Sequence, residues 1–180
     1  GACGSDDSEP PSSDAPRPVE TAEELPRLPR GWEPHTNRAA GFAIGRPPGW
    51  AARDNGTATT LTAPDELVVL TISADRTADA LGLAPTDFAT ATIGALQGYE
   101  KPPEPGAARR FRHRYDAAWV RAEVTAARTG VRQELAVVVV RREELAVVTA
   151  VVAASARHTA AAERRDALRA VRTVRTRPVG

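Results

Sequence analysis

Gln133-Glu134-Leu135-Ala136-Val137-Val138-Val139-Val140-Arg141-Arg142-Glu143-Glu144-Leu145-Ala146-Val147-Val148-Thr149-Ala150-Val151-Val152-Ala153 decides the fold of this chain. Two apolar runs of strand length flank one charged turn, 141–144. Their β-branched side chains are stiff at χ1 and suit a pleated sheet. The apolar character is near-continuous rather than alternating, as in strands buried on both faces. The connection is far too short for a crossover, so the two strands pair antiparallel.

Toward the N-terminus, residues 118–126 alternate, with Ala118, Val120, Ala122, Val124 and Ala126 on one face, and Thr129-Gly130 turns the chain. Residues 109–115 alternate as well: Phe111, His113 and Tyr115 point one way, and Arg110, Arg112 and Arg114 the other. The four segments predict an antiparallel meander. Earlier still, residues 41–45 form a short apolar run ended by Pro47-Pro48, and residues 49–53 resume an extended path. Asn55-Gly56 predicts a type I′ hairpin turn, because both central positions need φ > 0. Residues 57–62 follow, then a turn at Pro64-Asp65-Glu66 and a buried strand over 67–73.

Two helices frame the meander. The first opens at Ala84-Pro85-Thr86-Asp87, with Thr86 as N-cap, Phe88, Ala89, Thr92, Ile93 and Leu96 on one face, and Gly98 as stop. A Pro-rich loop covers 101–106. The second spans 159–174, with Ala162, Leu168, Val171 and Val174 as packing residues. Helices segregated against an antiparallel sheet describe an α+β sandwich. A chain of 180 residues accommodates one such domain and a tail.

Composition narrows the class. Aromatic residues are 4% of the chain, so aliphatic residues and alanine must build the core. No run of about 18 apolar residues occurs, so no helix is long enough to cross a bilayer. The single cysteine can form no internal disulfide. Lys101 is the only lysine among 24 basic residues, which, with abundant Ala, Pro and Val, suggests a GC-rich bacterial source. Methionine is absent, and the expectation is that an upstream segment has been removed.

The chain opens Gly1-Ala2-Cys3-Gly4-Ser5-Asp6-Asp7. Small residues before a cysteine, and Gly, Ser and Asp after it, resemble the end of a bacterial lipobox. In such lipoproteins a diacylglycerol is attached to the cysteine sulfur, and the signal peptide is cut just before it. The resemblance implies lipidation of Cys3, with Gly1 and Ala2 as remnants of the signal peptide. A diacyl anchor with an added N-acyl chain holds firmly at a membrane. Residues 4–30 are rich in Ser, Asp, Glu and Pro and predict a disordered, extended tether. The expected division is a tether over 1–30 and a folded domain over 31–180. Residues 1–30 carry seven acids and three arginines, whereas the remainder is net positive.

The domain's opening, Gly41-Phe42-Ala43-Ile44-Gly45-Arg46-Pro47-Pro48-Gly49-Trp50, resembles that of the PsbP/Mog/DcrB-like superfamily. With the lipobox and the Pro/Ser/acidic spacer, the chain is similar to actinobacterial LpqN-type lipoproteins. Phe42, Ile44, the Pro47-Pro48 pair and Trp50 carry the match. The resemblance implies an α/β/α-type sandwich around a twisted antiparallel sheet. It also implies a non-enzymatic accessory or binding role, without naming a partner, because one fold hosts several functions.

Chemistry is sparse. His35, His113 and His158 match no zinc spacing, and no metal or other cofactor is expected. No nucleophile elbow, Walker loop or dinucleotide loop is present. The sharpest constellation is Arg110, Arg112 and Arg114 with Arg109 beside them. On a strand, three guanidiniums would stand about 7 Å apart on one face and could bind phosphates or carboxylates. The alternative is a solvated outer strand whose arginines deter edge pairing, balanced by Glu123 or Glu134. Trp50 is expected in the core. Trp119 is expected under the C-terminal helix or at an exposed binding spot.

The expected function is that of a cell-envelope lipoprotein on the outer face of the cytoplasmic membrane. It would act as an accessory or binding module for an envelope protein, wall polymer or lipid, and not for nucleic acid. The alternatives are a carrier of a lipid or small apolar ligand between sheet and helix, and a cryptic enzyme. Intact-mass analysis of the native protein from its own membranes tests the anchor. A diacylglycerol mass on a chain beginning at Cys3, absent in Cys3→Ala, is expected; an unmodified thiol would remove the membrane assignment.

Overall fold

The computed structural model describes residues 19–179. Its centre is the predicted hairpin, β8 (Arg132–Arg142) and β9 (Ala146–Ser155). They pair antiparallel from Gln133↔Ser155 to Arg142↔Ala146. Leu135, Val137 and Val139 face one layer, and Ala136, Val138 and Val140 the other, all buried. That two-sided burial is why the run reads as continuously apolar.

The remaining long strands attach on either side. On one flank stand β7 (Asp116–Thr125) and the two-residue β6 (Arg109–Arg110). On the other stand β5 (Val68–Asp75), β4 (Ala58–Thr62) and β3 (Ala51–Asp54). The sheet order is β3-β4-β5-β9-β8-β7-β6, antiparallel throughout. β5 is buried at Val68, Leu70 and Ile72 and only partly covered at Val69, Thr71 and Ser73. The strand predicted over 67–73 is thus present, with one face buried.

Helices cover both faces. The short α1 (Ala78–Gly82), N-capped by Thr77, and α2 (Pro85–Ala95) lie on one face. Ala80, Ala89 and Ile93 pack there on Val120, Leu135, Val137, Val139 and Val147. Proline at the first helical position starts α2, and Ala84, not Thr86, is its N-cap. On the opposite face lies α3 (Ala161–Arg172), preceded by a 3₁₀ turn at His158–Ala160. Its packing residues are Ala167, Ala170 and Val171, with Leu168 partly covered, whereas Ala162 is exposed. Alanines at the contact let the helix axis approach the sheet closely. The fold is therefore an α+β sandwich with an antiparallel sheet between helical layers.

A second, small sheet sits on the α3 side. Its order is β1 (Glu33–Asn37), β2 (Phe42–Arg46) and β10 (Arg175–Thr176). Phe42 and Ile44 of β2 share the core with Trp50, Leu61 and α3. Thr173 ties helix to sheet: its hydroxyl donates to Ala170 O and accepts from Gly45 N at 2.7 Å each. A side chain at Gly45 would collide with Leu28 at 2.6 Å, so glycine here lets the preceding segment lie against β2.

The contact involves part of the stretch read in sequence as tether. Residues 19–30 have irregular backbone but lie against the domain, with Glu20, Glu23 and Leu28 in contact. The β3–β4 turn also differs from expectation. Only Gly56 has positive φ (+87°) there, and Asn55 N donates to Ala58 O at 3.0 Å. The two-residue loop is Gly56-Thr57, with glycine first as in a type II′ turn. Asn55 instead caps it, its Oδ1 accepting from Ala58 N at 2.8 Å.

Ile93 is fully buried between α2 and the sheet. Ile93→Ala is expected to cost about 2–4 kcal/mol through lost transfer energy and a cavity, read as a lowered urea midpoint at unchanged slope. A loss under about 0.5 kcal/mol would mean that α2 is not anchored there.

Candidate functional site

The arginine segment does not form the predicted strand. Pairing stops after Arg109↔Trp119 and Arg110↔Ala118, with one further bond from Phe111 N to Ala117 O. The chain bends because His113 Nδ1 accepts the Tyr115 backbone N–H at 3.1 Å, a local bond that competes with the ladder. The four arginines therefore disperse. Arg110 pairs with Asp116 at 2.9 Å, and Arg114 with Glu23 at 3.7 Å. Arg109 stands in β6, and Arg112 is exposed without an ion pair among the described residues. The acids predicted to balance them are engaged elsewhere: Glu123 with Arg132, and Glu134 with Arg121 and Arg164.

The aromatic side of the same segment is preserved. Phe111, His113 and Tyr115 form a ladder with ring centroids 6.0 and 5.3 Å apart. His113 Nε2 donates to Arg172 O at 3.2 Å while Nδ1 accepts from Tyr115, which requires the neutral imidazole. Burial, reinforced by the neighbouring Arg175 and Arg172 charges, pushes the His113 pKa down to about 4.

Beside this ladder, between α3 and strands β7 and β8, opens a cleft of about 130 Å³. Phe111, Trp119, Val138, Leu168 and Val171 form its apolar wall, with Arg121 and Arg172 completing it. The Arg121 guanidinium lies over the Trp119 ring, 4.4 Å from its centroid. Trp119 thus lies next to α3 and still borders open space. Trp50, by contrast, is in the core.

A second cluster forms where the N-terminal segment docks. Arg76 grips Glu20 through Nη2 at 3.1 Å and also donates to the carbonyls of Ala40, Gly41 and Arg177. Glu23 lies 3.3 Å from Arg142 and accepts from the Tyr115 hydroxyl. Burial first, then the Glu23 carboxylate, raises the Tyr115 pKa to about 12. Neither glutamate was distinguishable in sequence from the other acids of the tether. Their partners lie 56 and 92 residues away.

The histidines offer no catalytic set. His35 Nε2 is 2.9 Å from Asp54, but the nearby Thr59 hydroxyl donates to Asp54 and not to the imidazole. Burial alone would raise the Asp54 pKa, and the bonds from Thr59 and His35 outweigh it, so the net shift is downward. A base-activated nucleophile requires the hydroxyl on the histidine; here the order is inverted. His158 begins the 3₁₀ turn, and its ring takes no hydrogen bond or ion pair among the described residues. Among the described residues no three His, Cys, Asp or Glu gather as a metal site. No described helix is long and apolar enough to cross a membrane. Cys3 lies outside the described residues.

No protein-family model and no curated protein matches this sequence. Solved structures do. A crystal structure from Bacteroides thetaiotaomicron VPI-5482 aligns at TM-score 0.53 and 11% identity over 82% of this chain. The chain spans only 49% of that protein's length. The solution structure of cyanobacterial PsbP (CyanoP) from Synechocystis sp. PCC 6803 aligns at TM-score 0.52 and 14% identity. It covers 81% of this chain and 92% of that one. The fold is of the PsbP type. The crystal structure of LpqN, involved in cell envelope biogenesis of Mycobacterium tuberculosis, aligns at 16% identity over 86% of this chain and 83% of its own. Its TM-score is 0.43, too low to add to the fold or the role.

The His113 geometry sets a pH dependence. Between the ordinary histidine pKa of 6.5 and about 4, the unfolded chain binds a proton at this residue that the folded chain does not. Stability from this group is complete above 6.5 and falls as pH drops through that window. Urea midpoints at pH 7 and pH 5 are expected to converge in His113→Gln relative to wild type; an unchanged gap would mean that other groups set the slope.

Proposed function

We propose that this chain is a non-enzymatic binding module, held on the outer face of the cytoplasmic membrane by lipid on Cys3, that seats an apolar anchor of an envelope partner beside Trp119. The cleft between α3 and the sheet is the observation that carries this reading. It combines an aromatic wall, aliphatic sides and two arginines, the composition favoured at interface hot spots. Arg109 and Arg110 form β6, and Arg112 follows in the bend, so all three adjoin Phe111 of the cleft in sequence. Their charge would speed encounter with an acidic partner more than tighten it. The lipobox-like start and the acidic spacer support the location, and the inverted His35–Asp54–Thr59 arrangement supports a role without catalysis.

The size of the cleft separates this reading from a lipid carrier. About 130 Å³ is comparable to the roughly 150 Å³ cavity that admits one benzene ring. One aromatic ring or a few methylenes fit, whereas a whole acyl chain does not. A carrier would have to open α3 away from the sheet, against the burial of Ala167, Ala170 and Val171.

A photo-crosslinkable residue tests the site in native membranes. Placed at Leu168 it is expected to capture one discrete partner, which Trp119→Ala weakens about tenfold or more, the loss of an aromatic anchor. The same residue at exposed Ala162 is expected to capture none. Equal capture at both positions would overturn the assignment, and one lipid molecule retained per chain would favour the carrier.

A further inference from the structure

Arg114 and Arg142 converge at one end of the sheet on a single carboxylate, with Arg175 near enough to feel its charge. Glu23 Oε1 lies 3.3 Å from Arg142, and Oε2 lies 3.7 Å from Arg114 and accepts from the Tyr115 hydroxyl. Arg175 is 8% exposed, and its guanidinium lies 5.9 Å from the Tyr115 ring. Its Nε is buried with no hydrogen-bond partner among the described residues. Burying a guanidinium is costly unless a counter-charge faces it. Burial lowers the Arg175 pKa, while the Glu23 charge acts in the opposite sense.

The other nearby acids do not compensate. Asp116 is divided between Arg110 and Arg141, and Glu143 takes no ion pair among the described residues. A half-open cleft of about 490 Å³ lies alongside, bordered by Arg114, Tyr115, Arg141 and Arg142 together with the carboxylates of Glu23, Asp116 and Glu143. Arg114 and Arg142 are thus reached from solvent, and their guanidinium forks match planar or tetrahedral oxyanions.

The two sides of the pocket differ in rigidity. Arg142 ends β8 and Arg175 belongs to β10, both within sheets. Glu23 comes from irregular backbone, held by its own N–H to Thr176 O at 3.3 Å and by Arg142 to Thr21 O at 3.1 Å. A cationic wall set within the sheets thus faces a carboxylate carried on irregular backbone.

We propose that Arg114, Tyr115, Arg142 and Arg175 form a binding site for a carboxylate or phosphate group, and that Glu23 of the chain's own N-terminal segment occupies it as an internal competitor. This depends neither on the lipid anchor nor on the Trp119 cleft. An intramolecular occupant acts at an effective concentration near the millimolar range. An incoming anion must exceed that competition, and on binding it frees residues 19–24 from the domain.

Titration of the full chain with inorganic phosphate, and separately with acetate, followed by amide NMR, tests the proposal. Glu23→Ala is expected to tighten binding of at least one anion about tenfold over wild type, with shifts at Tyr115, Arg142 and Arg175. Arg142→Ala in the same background is expected to abolish the gain. The anion with the larger gain identifies the ligand class. Equal affinity in wild type and Glu23→Ala, or shifts centred on Arg109–Arg110 instead, would overturn it. Should Glu23→Ala fail to fold, Glu23→Gln keeps the size of the side chain, removes its charge and leaves the site intact, and is expected to give a smaller gain of about threefold; none would overturn the proposal equally.

Discussion

Burial of β8 and β9 on both faces is the constraint from which the rest of the architecture follows. A strand apolar on alternate residues needs one covering layer, whereas a run such as Leu135–Val140 needs two. Fully burying each valine contributes about 1.5–3 kcal/mol, so leaving either face open would expose a large part of the stabilising surface. Helix α2 closes one side through Ala89 and Ile93. On the other side α3 and the small sheet share the work, through Ala167, Ala170 and Phe42. The antiparallel hairpin fixes the two strands in register, and the covering elements follow from the periodicity of each face.

The same constraint pushes binding capability to the margins. The centre of the sheet is packed on both sides, so open space remains where a cover ends. The Trp119 cleft lies where α3 meets β7, and the Glu23 site lies at the end of β8 beside the two-residue β10. Both draw on the bend after β6: Phe111 walls one, and Arg114 and Tyr115 build the other. The Tyr115 N–H to His113 bond that ends the strand therefore positions two sites at once.

The sequence made the centre legible and the periphery much less so. Continuous β-branched runs, short charged turns and the 3.6-residue pattern of 159–174 identify the hairpin, the meander and the last helix, because those signals are local. β10 and β6, two residues each, owe their existence to strands distant in sequence and carry no period of their own. The strand predicted over 109–115 failed because alternation says nothing of a side chain that captures a neighbouring N–H. The contacts of Glu20 and Glu23 with the domain were illegible for a related reason. Acidic, Pro-rich composition argues against a core, but it cannot exclude specific ion pairs to arginines already fixed by the fold. The arginines were visible as residues; their sorting into separate environments was not.

The two glutamates of the N-terminal segment are unequal. Arg76 would lose Glu20 and still donate to the carbonyls of Ala40, Gly41 and Arg177, so its hydrogen-bonding capacity stays largely used. Arg142 would keep Thr176, but Arg114 would lose its ion pair among the described residues and Arg175 the carboxylate whose charge offsets its burial. Leaving the buried Arg175 without a facing counter-charge costs more than loosening Arg76, whose other hydrogen bonds remain. Release of the segment is therefore resisted chiefly at Glu23. Because the resistance is electrostatic, a suitably placed external anion removes it without disturbing the hydrophobic layers on either side of the sheet.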